Sequence, residues 1–201
     1  CAKLTAMYEL QDTITAIATP AGVGGIGIIR LSGDKALDIA QKLLPGDKPF
    51  EKKRQILFTP FRQPQTGEFL DEGLLLVMPG PQSYTTEDVV EIHVHGSPLL
   101  LEKLLELLVT LGARLAQPGE FTYRAFIHGR LDLTQAEAVE ALVSAQGDAS
   151  RRQALRQLTG GLASHLEPME DGLDARESKG EARLEFADRG IPPLDEAKFD
   201  L

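Results

Sequence analysis

The chain has 201 residues, 42% of them apolar and 25% charged, and its 21 Lys and Arg against 30 Asp and Glu give a formal charge of -9. At roughly 100 to 200 residues per domain this is one full domain and part of a second, with enough apolar content for a packed core and no bias toward disorder. The acidic balance excludes autonomous nucleic-acid binding through a broad basic face, and the single cysteine, Cys1, excludes a disulfide framework or a cysteine zinc cluster and fits a reducing cytosolic setting.

Residues 1–11 contain no apolar run suited to a signal peptide and read as a tag or a disordered start. Thr13 to Thr19 reads as a strand, broken by Pro20-Ala21-Gly22 and followed by a glycine loop. Ile26 to Leu31 is strand-like again, and Ser32 or Asp34 can cap a helix from Lys35 to Leu44 that Pro45-Gly46 closes. Two strands are expected at Ile56 to Phe61 and Gly73 to Met78, on either side of the turn-rich Gln63 to Gly67. Val89 to His95 alternates with period two: Val90, Ile92 and Val94 share one face, and Glu91, His93 and His95 share the other. Ser97 and Pro98 open a helix that Gly112 ends, and a short strand follows at Ala113 to Ala116. The most apolar stretch, Pro98 to Leu111, carries Glu102, Lys103 and Glu106 and falls short of the ~20 residues of a membrane span.

Strands and helices mix without strict βαβ alternation, so the fold class is α+β with a mixed sheet rather than a doubly wound one. At Pro118-Gly119 the strand signal stops and helical periodicity takes over. Residues 12–117 therefore form an N-terminal α/β domain and 118–201 a partial all-helical one. Within the second, Gly129 interrupts a short helix, and Thr134 and Glu137 have capping-box spacing for a long helix running to about Leu158. Residues 168–190, with Gly172 and Gly180, are poor helix on propensity, and a helical layer with no return partner suggests truncation.

Gly22 to Gly27 satisfies G-x-G-x-x-G by letter, but a strand follows where a dinucleotide site needs a helix, so a tight connection with close backbone approach is the better reading. No G-x-x-x-x-G-K-[ST] occurs, hence no nucleotide-triphosphate loop in these residues. Glu91, His93 and His95 are legitimate metal ligands, but their i, i+2 spacing of roughly 7 Å favours a polar pocket face over a metal site. Arg30 stands in an apolar strand, where it meets either an acid such as Glu91 or an anionic ligand. Glu120, Arg124, His128 and Arg130 cluster on one short helix, and such a face is usually solvated. No Ser/His/Asp ordering or close carboxylate pair is legible, so no catalytic residue is assigned.

Three runs taken together carry a resemblance: Asp12 to Gly33 (DTITAIATPAGVGGIGIIRLSG), Pro79 to Gly96 (PGPQSYTTEDVVEIHVHG) and Pro118 to Ala138 (PGEFTYRAFIHGRLDLTQAEA). In order and spacing, from about Asp12 to Gly161, the chain resembles the N-terminal region of the MnmE (TrmE) family of tRNA-modification GTPases. The resemblance implies an N-terminal domain, similar to that of folate-dependent aminomethyltransferases, that dimerises and binds 5-formyl-tetrahydrofolate. It implies next a helical domain with a Ras-like GTPase domain inserted in it; that insert, with its GTP, Mg and K, is absent from these 201 residues. By matched position it places Arg30, Glu91 and Arg130 in the folate site, with relatives carrying Lys at the last; Glu91 suits the paired N-H groups of a pterin, and arginines suit carboxylates. His95 matches a family histidine, whereas His93 stands where relatives have glutamine. The whole protein implied works in the cytoplasm with the flavoprotein MnmG on the wobble uridine of tRNA, placing an aminomethyl-type group on carbon 5. Two alternatives stay open: a dimerisation scaffold without ligand, and a folate-dependent aminomethyltransferase-like domain.

Overall fold

The computed structural model describes residues 12–46 and 51–160; the expected tag at 1–11 and the irregular stretch at 168–190 lie outside them. The chain divides into two compact units, 1–136 and 137–201. In chain order the described elements are β1 (Ile14–Ile17), β2 (Gly24–Ser32), α1 (Ala36–Gln41), β3 (Gln55–Arg62), β4 (Phe69–Met78), β5 (Val89–Gly96), α2 (Pro98–Thr110), β6 (Arg114–Leu115), α3 (Glu120–Ile127), α4 (Leu133–Val143) and α5 (Asp148–Leu158). No helix among the described residues is long and apolar enough to cross a membrane.

The strands form one mixed sheet in the order β3-β4-β5-β2-β1-β6, antiparallel throughout except for the parallel pair β1 and β6. The expected α+β class with a mixed sheet is what the chain adopts. Strand alternation decides the faces. Ile29 and Leu31 of β2, Leu75 and Val77 of β4 and Val90, Ile92 and Val94 of β5 point to one side. There they pack with Ile39 and Ala40 of α1 and Leu101, Leu104 and Leu108 of α2 in a single core. Leu101, Leu104 and Leu108 recur at i, i+3 and i+7, the spacing of one buried helical stripe.

The glycine run belongs to the sheet: β2 begins at Gly24, with a bulge in its pairing to β5 between Gly24 and Gly27. A β-carbon on Gly27 would lie 2.6 Å from Leu101 Cδ1, so the missing side chain is what lets α2 settle on the sheet. At the opposite rim β3 carries Pro60, which has no N–H to offer to a further strand.

Three expectations about the helices change, the first being that α1 ends at Gln41 rather than Leu44 and is entered at Lys35 with no side-chain cap from Ser32 or Asp34. The predicted long helix from 134 to 158 is two helices, because Ser144 turns its hydroxyl back onto the Glu140 carbonyl at 2.9 Å and Gly147 is extended at φ -145° and ψ 161°. The cap of α4 is built two residues earlier than the Thr134 and Glu137 spacing predicts. Asp132 Oδ1 accepts from the Gln135 N–H at 2.7 Å while Gln135 Oε1 accepts from the Asp132 N–H at 2.9 Å, a reciprocal capping box. Gly129, with φ 74°, does stop α3 as its position predicts.

Candidate functional site

The sheet face opposite the core holds the polar residues. Arg30 and Glu91 are directly paired in register across β2 and β5, and both point away from the core because their neighbours Ile29, Leu31, Val90 and Ile92 point into it. Arg30 Nε donates to Glu91 Oε1 at 2.9 Å and Nη2 lies 2.7 Å from the same oxygen. Glu91 Oε2 meets His93 Nε2 at 3.1 Å. Burial opposes ionisation of Glu91, but the hydrogen bonds from His93 and Arg30 outweigh it and hold its carboxyl below the ordinary range.

Two rings shelter this pair. The guanidinium carbon of Arg30 lies 5.5 Å from the ring centres of both Tyr84, on the loop joining β4 to β5, and Phe121, on α3. Tyr84 also carries the third predicted residue, since the guanidinium of Arg130 sits 4.8 Å from its ring centre. Its hydroxyl is 2.9 Å from Thr122 Oγ1. Arg30 and Arg130 thus meet on one tyrosine ring, and Glu91 joins them through its ion pair with Arg30, the three drawn from separate stretches of sequence. Arg130 is exposed, and no ion pair to a carboxylate is formed by it among the described residues.

His95 departs from this group. Its Nδ1 faces Asp71 Oδ1 at 2.9 Å while its N–H donates to Asp71 Oδ2 at 2.9 Å. Burial raises the Asp71 pKa, and the bonds from His95 more than offset that, so the net direction is down. His93 and His95 therefore turn to different carboxylates, and among the described residues no group of three or more His, Cys, Asp or Glu is placed to hold a metal ion. Between them the face opens into a cleft of about 170 Å³ lined by Gly25, Ile26, Glu72 and Leu74 along with the two histidines.

The helix that reads as a wet face is otherwise. Glu120 and Arg124 are fully buried. Arg124 donates from Nη1 to the Asp12 carbonyl at 2.9 Å and to Glu87 Oε1 at 3.0 Å, and from Nη2 to the Asp12 carboxylate. Arg114 Nη2 reaches Glu120 Oε1 at 2.6 Å and its Nε reaches Asp12. An i, i+4 pair carries no sign of burial in the sequence; the partners that enclose it come from far away, 112 residues in the case of Asp12.

With this geometry in view, comparison with known proteins is decisive. The family described as GTP-binding protein TrmE N-terminus matches residues 13–130. The chain belongs to this family. Relatives of the TrmE N-terminal region named tRNA modification GTPase MnmE include one from Synechococcus elongatus, 52% identical over 195 residues, covering 95% of this chain and 41% of the relative. Another, from Thermus thermophilus, is 46% identical over 188 residues (93% and 44%), and one from Aquifex aeolicus is 47% identical over 189 residues (92% and 41%). The chain thus spans less than half the length of the curated relatives it matches. The TrmE match ends at Arg130, so all three predicted residues, together with Tyr84 and Phe121, lie inside it.

Proposed function

We propose that this chain is the folate-binding and dimerising part of a tRNA-modification GTPase. In that reading Arg30, Glu91 and Arg130 line the site for 5-formyl-tetrahydrofolate, which supplies a one-carbon unit for the wobble uridine of tRNA. The flavoprotein MnmG is the partner, and the work is done in the cytoplasm as part of a homodimer. GTP hydrolysis, with Mg and K, belongs to the Ras-like domain that these 201 residues do not include.

The observation that carries the reading is the meeting of Arg30 and Arg130 on the Tyr84 ring, with Glu91 bound to Arg30. The chemistry present fits a folate. Glu91, kept ionised by its neighbours, is an acceptor for a pterin's amino and ring N-H groups, aromatic rings stand over its partner Arg30, and Arg130 is open to a carboxylate. Dimerisation draws support from the same sheet face further out, where Ile56 is 66% and Phe58 71% exposed on β3 beside Leu74 of β4.

The test is calorimetric titration with 5-formyl-tetrahydrofolate paired with sedimentation. A dimer that binds is expected, and Arg30→Ala or Glu91→Ala should each weaken affinity by roughly 1.5 to 3 kcal/mol, the range of a charged hydrogen bond. Unchanged affinity removes that residue from the site. One observation favours the scaffold alternative: Arg30 and Glu91 already satisfy one another without a ligand. A folded dimer that takes up no folate would establish it.

A further inference from the structure

The loop from 79 to 88, which brings Tyr84 to the pocket, is fixed chiefly by side chains. Glu87 Oε1 accepts from Arg124 Nη1 at 3.0 Å on one side, and Glu87 Oε2 accepts from Ser32 Oγ of β2 at 2.6 Å on the other. Ser32 Oγ also meets Thr85 Oγ1 at 2.6 Å, and the Thr85 carbonyl lies 2.7 Å from His128 Nδ1 just past α3. Between these two anchored residues Thr86 has φ 66°. A β-branched residue there is strained, and such strain persists only where the surroundings over-determine the backbone.

Arg124 is the centre of this lock. Its guanidinium is fully buried with the carboxylates of Asp12, Glu87 and Glu120 around it. Buried ionic clusters are often no more stabilising than apolar side chains of equal volume, and fixing a geometry is one of their attested uses. The geometry this one defines is that of α3, which carries Phe121 and Thr122, relative to the loop that carries Tyr84.

We infer that Arg124 is a positioning residue for the ligand pocket, acting through Glu87 and the loop to hold the Tyr84 ring against Arg30 and Arg130. The inference deepens the folate reading given above and rests on it for the ligand, while the lock itself can be tested with no ligand present.

Glu87→Gln keeps the shape of the side chain and removes its charge. Hydrogen exchange of the Gly80 and Glu87 backbone amides, which donate to Asp88 Oδ1 at 3.0 Å and Thr85 Oγ1 at 3.3 Å, should accelerate at least tenfold in this variant, with those of β2 and β5 unchanged. Affinity for 5-formyl-tetrahydrofolate should fall at least fivefold, yet change less than twofold when the same substitution is made in a Tyr84→Leu background. A role in stability alone would not produce that background dependence. Should Glu87→Gln fail to fold, Ser32→Ala removes one donor to Glu87 and should give the same signs at smaller size. Unaltered exchange of the Gly80 and Glu87 amides, or an equal loss of affinity in both backgrounds, overturns the inference. A parent chain that takes up no folate overturns the ligand reading instead, and the exchange measurement then decides the lock.

Discussion

Gly27 meets Leu101 where a β-carbon would be 2.6 Å from one methyl and 2.8 Å from the other, and Leu101 is itself buried on the core side of α2. The leucine has little room to retreat, so Gly27→Ala should destabilise the fold by about 1 to 3 kcal/mol, the usual size of core overpacking, measured as a lowered urea midpoint at unchanged slope. At this scale legibility was uneven. Arg30, Glu91 and Arg130 came from matched positions in a family, while the residues alone left Arg30 open between an acid and an anionic ligand. Tyr84 and Phe121 gave no signal, because an aromatic residue in a loop or a short helix is more often packing than a platform for a cation. Glu120 and Arg124 misled for a related reason. Their spacing is that of a surface pair, and only Asp12 and Glu87, supplied by the fold, make it an interior one.

At the scale of elements, strands were read well because a half-buried sheet forces alternation, and β5 alternates as Val89 to His95 predicts. Helix ends were read less well, since a break needs only a local competitor such as the Ser144 hydroxyl, and several polar residues near a start can serve as the cap. Asp132 is that residue for α4, and Asp132→Ala should cost about 1 kcal/mol in thermal or urea unfolding, whereas Thr134→Ala should cost less. The joint between α3 and the sheet has a pH signature. For Glu120, burial raises the pKa and Arg114, the Gln117 amide and Arg124 lower it further, a net depression; Asp12 shows the same balance with Arg114 and Arg124. Carboxyls depressed in the folded state contribute stability that is present above their ordinary values, near pH 4, and lost as pH falls through the folded ones. The urea midpoint should therefore hold at pH 6 and drop toward pH 3. Glu120→Gln should lower the midpoint at pH 6 and flatten the remaining dependence; a parallel drop would exclude Glu120 from the acid response.

For the whole molecule, the sheet is covered by helices on one face and only partly by the 79–88 loop and α3 on the other, leaving Ile56, Phe58 and Leu74 in the open. If two copies meet there, Phe58→Asp should shift the sedimentation coefficient to that of a monomer without lowering the melting temperature; a dimer that survives it places the interface elsewhere. Fold class was legible because strand and helix periodicities do not depend on partners. The uncovered face gave no signal in the sequence, because an exposed apolar patch and a buried one are written with the same letters.

The proline in β3 bears on how copies of this sheet can associate at all. A rim strand is a template on which another chain can add backbone bonds and begin a fibre, and it is most dangerous when long and apolar, as β3 is with Ile56, Leu57, Phe58 and Phe61. Pro60 breaks the row of donors in the middle of that template. Backbone addition at this rim is thereby interrupted, while the exposed side chains of the broad surface are left as they are.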